Sequence, residues 1–321
     1  MKDRIFVIDG SSYLYRAYHA MPPLSTSTGR PTGAVKGVTN MLMNLKKDSE
    51  GSPIIVVFDA KGKTFRNEIY SEYKANRPPM PDELRLQLDP IKSICKAIGF
   101  PLIEIKGVEA DDVIATITRM AKDAEYKCVV SSLDKDLMQL VEDPDTTLMN
   151  TMKHEIFNEE KVFEKFGVKP NQIRDMLALV GDSSDNIPGV PKVGQKTAAK
   201  WLNEYSNLDG VIKNADLIKG VVGDNLRNSL SELERNIDLV SLKEDVDLNV
   251  KFEDLLKLNP NQDELDKIFK DLEFAPINKD KDEQVPKKNG KYQTVLNKKD
   301  LNSWINKIKK SKAFAIDTET D

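Results

Sequence analysis

At 321 residues, 39% hydrophobic and 31% charged, the chain has the make-up of a globular protein with room for two domains. No apolar run approaches the ~20 residues of a membrane span, and the short run in MKDRIFVIDG has neither the length nor the small-residue cleavage site of a signal peptide, so a cytoplasmic protein is expected. Cys95 and Cys128 sit in apolar runs and the two histidines, His19 and His154, lie far apart, which argues against a disulfide framework and against zinc chemistry.

Strand and helix signals then alternate. Four apolar runs have the length of buried strands: RIFVIDG (4–10), PIIVVFDA (53–60), PLIEI (101–105) and CVVSSLD (128–134). Between them, VTNMLMNL (38–45), LRLQLDPIKSICKAIG (84–99) and DDVIATITRMAKDA (111–124) carry helical periodicity. Leu84, Leu88, Ile91, Ile94 and Ile98 fall at helical spacing, and Gly99 is placed to end that helix. The alternation predicts an α/β domain over 1–175, a mostly parallel sheet flanked by helices. From about 160 the strand signal fades. NEEKVFEKFG, PNQIRDMLALVG, KTAAKWLNEY and NSLSELERNIDLVS read as helices, and a smaller α-helical domain is expected over 176–277. NKDKDEQVPKKNGK (278–291) has the composition of a flexible linker. Residues 292–321 begin strand, helix, strand and stop in mid-element, so the chain reads as a fragment of something longer.

Three of the predicted strands end in an acid: Asp9, Asp59, and Asp134 with Asp136 two residues on. Ligands of an open parallel sheet bind outside the carboxyl ends of its strands, so these acids are delivered to one edge. GVEADDVIAT (107–116) adds Glu109, Asp111 and Asp112 at a helix start, and GDSSDNIPG adds Asp182 and Asp185. A lone acid after a strand is an ordinary turn or cap residue. Nine together would repel each other and raise their own pKa values unless cations sit among them. Hard divalent ions with oxygen ligands suit such a cluster, and a pair of Mg²⁺ ions suits phosphodiester hydrolysis. The nine acids also account for the net charge of −4, since setting them aside leaves +5. A nucleic-acid partner is therefore compatible with the charge.

KGKTFRNEIYSEYKANRPPMP (61–81) interleaves cations with aromatics. Lys61, Lys63, Arg66, Lys74 and Arg77 are candidates for phosphate contact, and Phe65, Tyr70 and Tyr73 for stacking on bases; an ordinary solvated helix with a Pro-rich stop is the alternative. SSYLYRAYHA (11–20), with Arg16, is equally readable as core or as contact surface. In GVPKVGQKTAAKWL (189–202), Gly189 and Gly194 flank a tight turn into a helix, with Lys192, Lys196, Thr197 and Lys200 around it. A turn of this kind holds duplex phosphates at a helix N-terminus, unless it is a helical corner that simply packs.

Five collinear motifs, FVIDGSSYLYRAYHAMPPL, VVFDAKGKTFRNEIYSEYKANRPPMPDEL, GVEADDVIATI, VVSSLDKDLMQLV and ALVGDSSDNIPGVPKVGQKTAAKWL, resemble the N-terminal 5′-nuclease region of bacterial DNA polymerase I, in the flap endonuclease superfamily, over roughly 1–275. The resemblance implies a two-metal set of Asp9, Asp59, Glu109, Asp111, Asp112, Asp134, Asp136, Asp182 and Asp185 holding Mg²⁺ or Mn²⁺. It implies a helical arch at 61–81 with Lys74 and Arg77 facing the scissile phosphate. It also implies a helix-three-turn-helix at 189–200 on duplex DNA, with K⁺ bound there in family members. The terminal AFAIDTETD resembles the first metal motif of a 3′→5′ exonuclease domain, through Asp317 and Glu319. The expected function is a monomeric, structure-specific 5′ nuclease acting on DNA flaps, nicks and RNA primer ends. A non-catalytic DNA-structure-binding module and an endoribonuclease are the alternatives, disfavoured by the full acid set and by the arch and hairpin respectively.

Overall fold

The computed structural model describes residues 4–150, 155–275, 294–311 and 313–314. The chain divides into two compact units, Met1–Ala275 and Pro276–Asp321. In the first, β1 (Arg4–Asp9) leads into α1 (Gly10–Ala20) and α2 (Gly33–Asp48). β2 (Ile54–Val57) is followed by α3 (Phe65–Ile69) and α4 (Asp82–Ile98), β3 (Leu102–Ile103) by α5 (Ala110–Asp123), and β4 (Lys127–Ser131) by a 3₁₀ turn at Asp136–Leu140. β5 (Thr146–Asn150) and β6 (Glu155–Phe157) complete a sheet of order β3-β2-β1-β4-β5-β6, parallel except for the last pair. Every residue of β1 after Arg4 is buried, as a parallel strand covered on both faces requires.

The four predicted strands are present but shorter, because their last residues leave the ladder and turn into the loops that carry the acids. β5 and β6 were not predicted. TTLMN lacks an apolar run, and at the sheet margin only Thr146 and Leu148 of β5 are buried. The helix predicted to stop at Gly99 does so, with that residue left-handed at φ 99°.

The helical half comprises α6 (Glu159–Phe166), α7 (Ile173–Val180), α8 (Gln195–Tyr205), α9 (Leu208–Lys213), α10 (Val221–Asn228), α11 (Leu230–Val240), α12 (Phe252–Leu255) and α13 (Gln262–Asp271), with a two-stranded hairpin of β7 (Gly181–Asp182) and β8 (Ile187–Pro188). One apolar core runs through both halves, from Ile5 and Val113 to Leu177, Trp201 and Leu239. The last segment of the helical half, residues 259–273, returns to the sheet domain. Asn259 N donates to Gly99 O (3.1 Å) and Asn261 N to Ala97 O (2.8 Å). α13 packs on α4 through a face that includes Leu265 and Phe269, and Glu273 accepts from Ser27 N (2.8 Å) and Ser27 Oγ (2.5 Å).

In the second unit, α14 (Lys298–Lys310) is capped by Asn297, whose side chain accepts from Asp300 N at 2.9 Å. The predicted linker at 278–291 and the acids Asp317 and Glu319 lie outside the described residues.

Candidate active site

Four separate elements bring acids to the carboxyl edge of the sheet. Asp9 closes β1 and caps α1, accepting from Ser12 N (2.8 Å) and Ser132 Oγ (2.7 Å). Asp59, just past β2, accepts from Ala110 N (2.9 Å), which ties that strand end to the start of α5. Asp111 lies in the first turn of α5, and Asp134 follows β4 with its Oδ1 accepting from Asp136 N (2.9 Å). The helical half contributes Asp185 from the β7–β8 turn. These five acids line a cavity of about 460 Å³, together with Lys74, Arg77, Lys135, Ser11, Ser12, Tyr15 and Leu133. Tyr15, Leu133 and Lys135 were not singled out from the sequence, although Lys135 lies between two acids that were.

Charge pairing sorts the nine acids. Glu109 is met by Lys74 (2.7 Å), Asp112 by Arg66 (2.6 Å), Asp182 by Lys135 (2.8 Å), and Asp185 by Arg77. Against the cost of burial, Lys135 and the Ser184 donors hold Asp182 below the usual carboxylate range. Among the described residues Asp9, Asp59, Asp111, Asp134 and Asp136 make no ion pair. Burial, then the charges of Asp59 and Asp134, push Asp9 up to about 7 against its serine hydrogen bonds. Burial, then Asp134 and Asp182, push Asp136 up to about 8. Asp111 is raised well above the ordinary value by burial and by Asp134, Asp9 and Asp59.

Several expectations are corrected. Asp112 is no candidate ligand: it is fully buried and held by both Nη atoms of Arg66 (2.6 and 2.8 Å), by Glu109 N (3.0 Å) and by Lys243 N (3.0 Å). Arg66, 2% exposed, is therefore closed to DNA. Tyr73, 3% exposed, is closed as well, its hydroxyl lying 3.0 Å from both Glu109 and Asp185. Phe65 and Tyr70 face protein cations, Lys243 at 3.7 Å and Arg235 at 4.4 Å from the ring centres. The stretch 61–81 contains one five-residue helix followed by turns, latched to the β7–β8 loop by Lys74 N to Asp185 O (2.9 Å) and Asn76 Nδ2 to Ser183 O (2.7 Å). Arg16 does not line the carboxylate cavity; it lines another, of about 490 Å³, over the sheet with Phe6, Met41, Asp48 and Ile156. Gly189 is a crossing point, since a Cβ there would stand 2.0 Å from Val180 O. Lys192, Gly194, Lys196 and Lys200 are exposed and Thr197 half-buried around the N-terminus of α8.

The model of the 5′-3′ exonuclease N-terminal resolvase-like domain matches residues 4–167, and that of the 5′-3′ exonuclease C-terminal SAM fold matches 168–264. The chain belongs to the 5′-3′ exonuclease family. The DNA polymerase I of Pseudomonas aeruginosa is 44% identical over 98% of this chain, which spans only 37% of that relative's length. A 5′-3′ exonuclease of Aquifex aeolicus is 41% identical over 87% of this chain and 95% of its own length. Among solved structures, the bacteriophage T5 5′-exonuclease with bound divalent zinc ions aligns at a TM-score of 0.66 and 25% identity, covering 84% of this chain and 98% of that one. The catalytic core of Rad2 in complex with DNA substrate aligns at 0.57 and 16% identity, over 86% of this chain and 89% of that one, a likeness of fold.

The donor set of this exonuclease-family chain fits divalent cations. Asp136 Oδ1 is buried with no hydrogen-bond partner, and the unpaired carboxylates around it are held in each other's repulsion. Among the described residues no three such groups form a ready-made metal cage. Mg²⁺ needs none, because it takes one or two carboxylates and completes its shell with water and phosphate oxygens.

Proposed function

We propose that this chain hydrolyses phosphodiester bonds at 5′ flaps, nicks and 5′ ends of DNA in the cavity between Asp9, Asp59, Asp111 and Asp134. The observation that carries the reading is the set of unpaired carboxylates from separate strand ends facing Lys74 and Arg77 across one cavity, in a chain of the 5′-3′ exonuclease family. Two Mg²⁺ or Mn²⁺ ions held by Asp9, Asp59, Asp111, Asp134 and Asp136, with Asp182 and Asp185 beside them, would make water nucleophilic near neutral pH and neutralise the leaving oxygen. Glu109 and Asp185 aim Lys74 and Arg77 into the cavity, where the two cations can pass from carboxylate to scissile phosphate. The exposed lysines of the 189–200 turn would hold the duplex backbone without reading bases, and a K⁺ site at that turn belongs to the same reading. In the cell the chain would act as a cytoplasmic monomer in primer removal and repair, as part of a longer DNA polymerase I.

The deciding experiment is cleavage of an end-labelled 5′-flap duplex with Mg²⁺ and with a chelator; an intact flap in Mg²⁺ refutes the reading. Two further outcomes are expected. Lys74→Ala and Arg77→Ala each slow single-turnover cleavage by about 100-fold while changing flap affinity only a few-fold, because each removes a cation beside the developing charge. Raised dissociation constants with unchanged rates would make them surface contacts only. Replacing Lys192, Lys196 and Lys200 with alanine weakens duplex binding alike for all sequences and flattens the slope of log affinity against log salt by about 1 per lost contact. An unchanged slope would remove the turn from the DNA interface.

A further inference from the structure

One arginine that does not line the carboxylate cavity is engaged on two sides within the protein. Arg66, in α3, places Nη1 and Nη2 on the two oxygens of Asp112 at 2.6 and 2.8 Å, and Nη1 also stands 3.6 Å from Glu109. The same guanidinium reaches the other way. Its Nε donates to Leu239 O and its Nη2 to Ser241 O, both at 2.8 Å. Leu239 lies in the last turn of α11 and Ser241 just past its end; carbonyls in a helix's last turn lack internal partners and favour a positive charge. The same helix holds the chain just ahead of the lysine-bearing turn, through Asn236 Nδ2 to Pro188 O at 2.5 Å. A continuous set of contacts thus runs from that turn through α11 and Arg66 to the residue next to Asp111.

We propose that Arg66 is a positioning residue that locks the start of α5, and with it Asp111, to the end of α11, so that gripping the duplex and aligning the carboxylate edge become one event. This rests on the nuclease reading above. Two features favour it over a purely cohesive role. A buried ion pair is a poor way to add stability, since apolar residues of like volume serve as well or better. And only a planar fork with donors on several sides can satisfy a carboxylate and two helix-end carbonyls at once; a lysine ammonium cannot span them.

The test uses the whole chain. In Arg66→Lys, single-turnover flap cleavage in Mg²⁺ falls by about 100-fold, the scale of an ångström-size misplacement, while the dissociation constant for flap DNA stays within about threefold because the phosphate contacts remain. Hydrogen exchange reads the coupling without chemistry: blunt duplex slows exchange of the amides at 110–116 in the unaltered protein but not in Arg66→Lys. The apolar pair Arg66→Met with Asp112→Leu separates positioning from cohesion, with melting temperature near that of the unaltered protein and cleavage still depressed. Cleavage restored along with melting in that pair, or duplex-induced protection retained in Arg66→Lys, overturns the proposal. Failure of the unaltered protein to cut the flap refutes the nuclease reading alone, because the exchange comparison still decides the coupling.

Discussion

Asp111→Asn and Asp112→Asn, one residue apart, are expected to change the protein in opposite directions. Asp111 faces the cavity and makes no ion pair among the described residues, and burial with the charges of Asp134, Asp9 and Asp59 opposes its charge more than Lys74 favours it. Neutralising it relieves that repulsion, so the metal-free protein melts at a higher temperature. Flap cleavage falls at least about 1,000-fold, the equivalent of about 4 kcal/mol of lost transition-state stabilisation, while DNA binding is kept or improved. Asp134→Asn, on the same cavity, follows suit. Asp112→Asn instead weakens one side of a buried, bidentate pair with Arg66, and breaking such pairs costs about 3–5 kcal/mol. Calorimetric melts in chelator and single-turnover assays in Mg²⁺ read both effects. Equal destabilisation at the two positions would mean that Asp111 is a structural acid as well.

Without divalent ions the protein should lose stability as pH rises from about 4 to about 8. Asp9 and Asp136, pushed up to about 7 and about 8, keep protons that the unfolded chain releases near its ordinary value of 3.8. The folded state then binds more protons than the unfolded one throughout that window, so linkage makes the slope negative. Stability from these groups is complete below about 4 and gone above about 8. A tenfold difference in proton affinity between the folded and unfolded states is worth about 1.4 kcal/mol, so Asp9 alone supplies at most about 4 kcal/mol. Mg²⁺ should flatten the slope, because bound cations stabilise the ionised carboxylates. Asp136→Asn should remove part of it, which separates these acids from the rest of the titrating surface. A melting temperature independent of pH in chelator, or an equal slope with Mg²⁺ present, would contradict this.

The carboxylate edge was legible because each strand is a short apolar run ending in an acid, and parallel strands necessarily end on the same side. Which acid faces the cavity was not legible. Asp111 and Asp112 differ only in which side of α5 they occupy, and that side is defined by Arg66, 46 residues upstream. The aromatics of 61–81 resemble stacking platforms in sequence for the same reason, since their true partners, Arg235 and Lys243, come from the far end of the unit. Local patterns report what a residue can do, whereas tertiary packing decides whether it is free to do it. The turn lysines Lys192, Lys196 and Lys200 are exposed, which is the ordinary state of a lysine and needed no knowledge of distant residues.

The return of residues 259–273 to α4 and Ser27 has a consequence for synthesis. The sheet half is made first, yet the surface of α4 that receives α13 stays uncovered until Glu273 has left the ribosome. At about 5–20 residues per second, the delay between Ile98 and Glu273 is roughly 10–35 s. Throughout that interval the nascent chain presents an apolar face that only its own later segment covers. Pausing within the helical half, or a reading frame cut short before α13, would therefore leave a half-built molecule open to chaperone capture and proteolysis, even though every strand of its sheet had already been made.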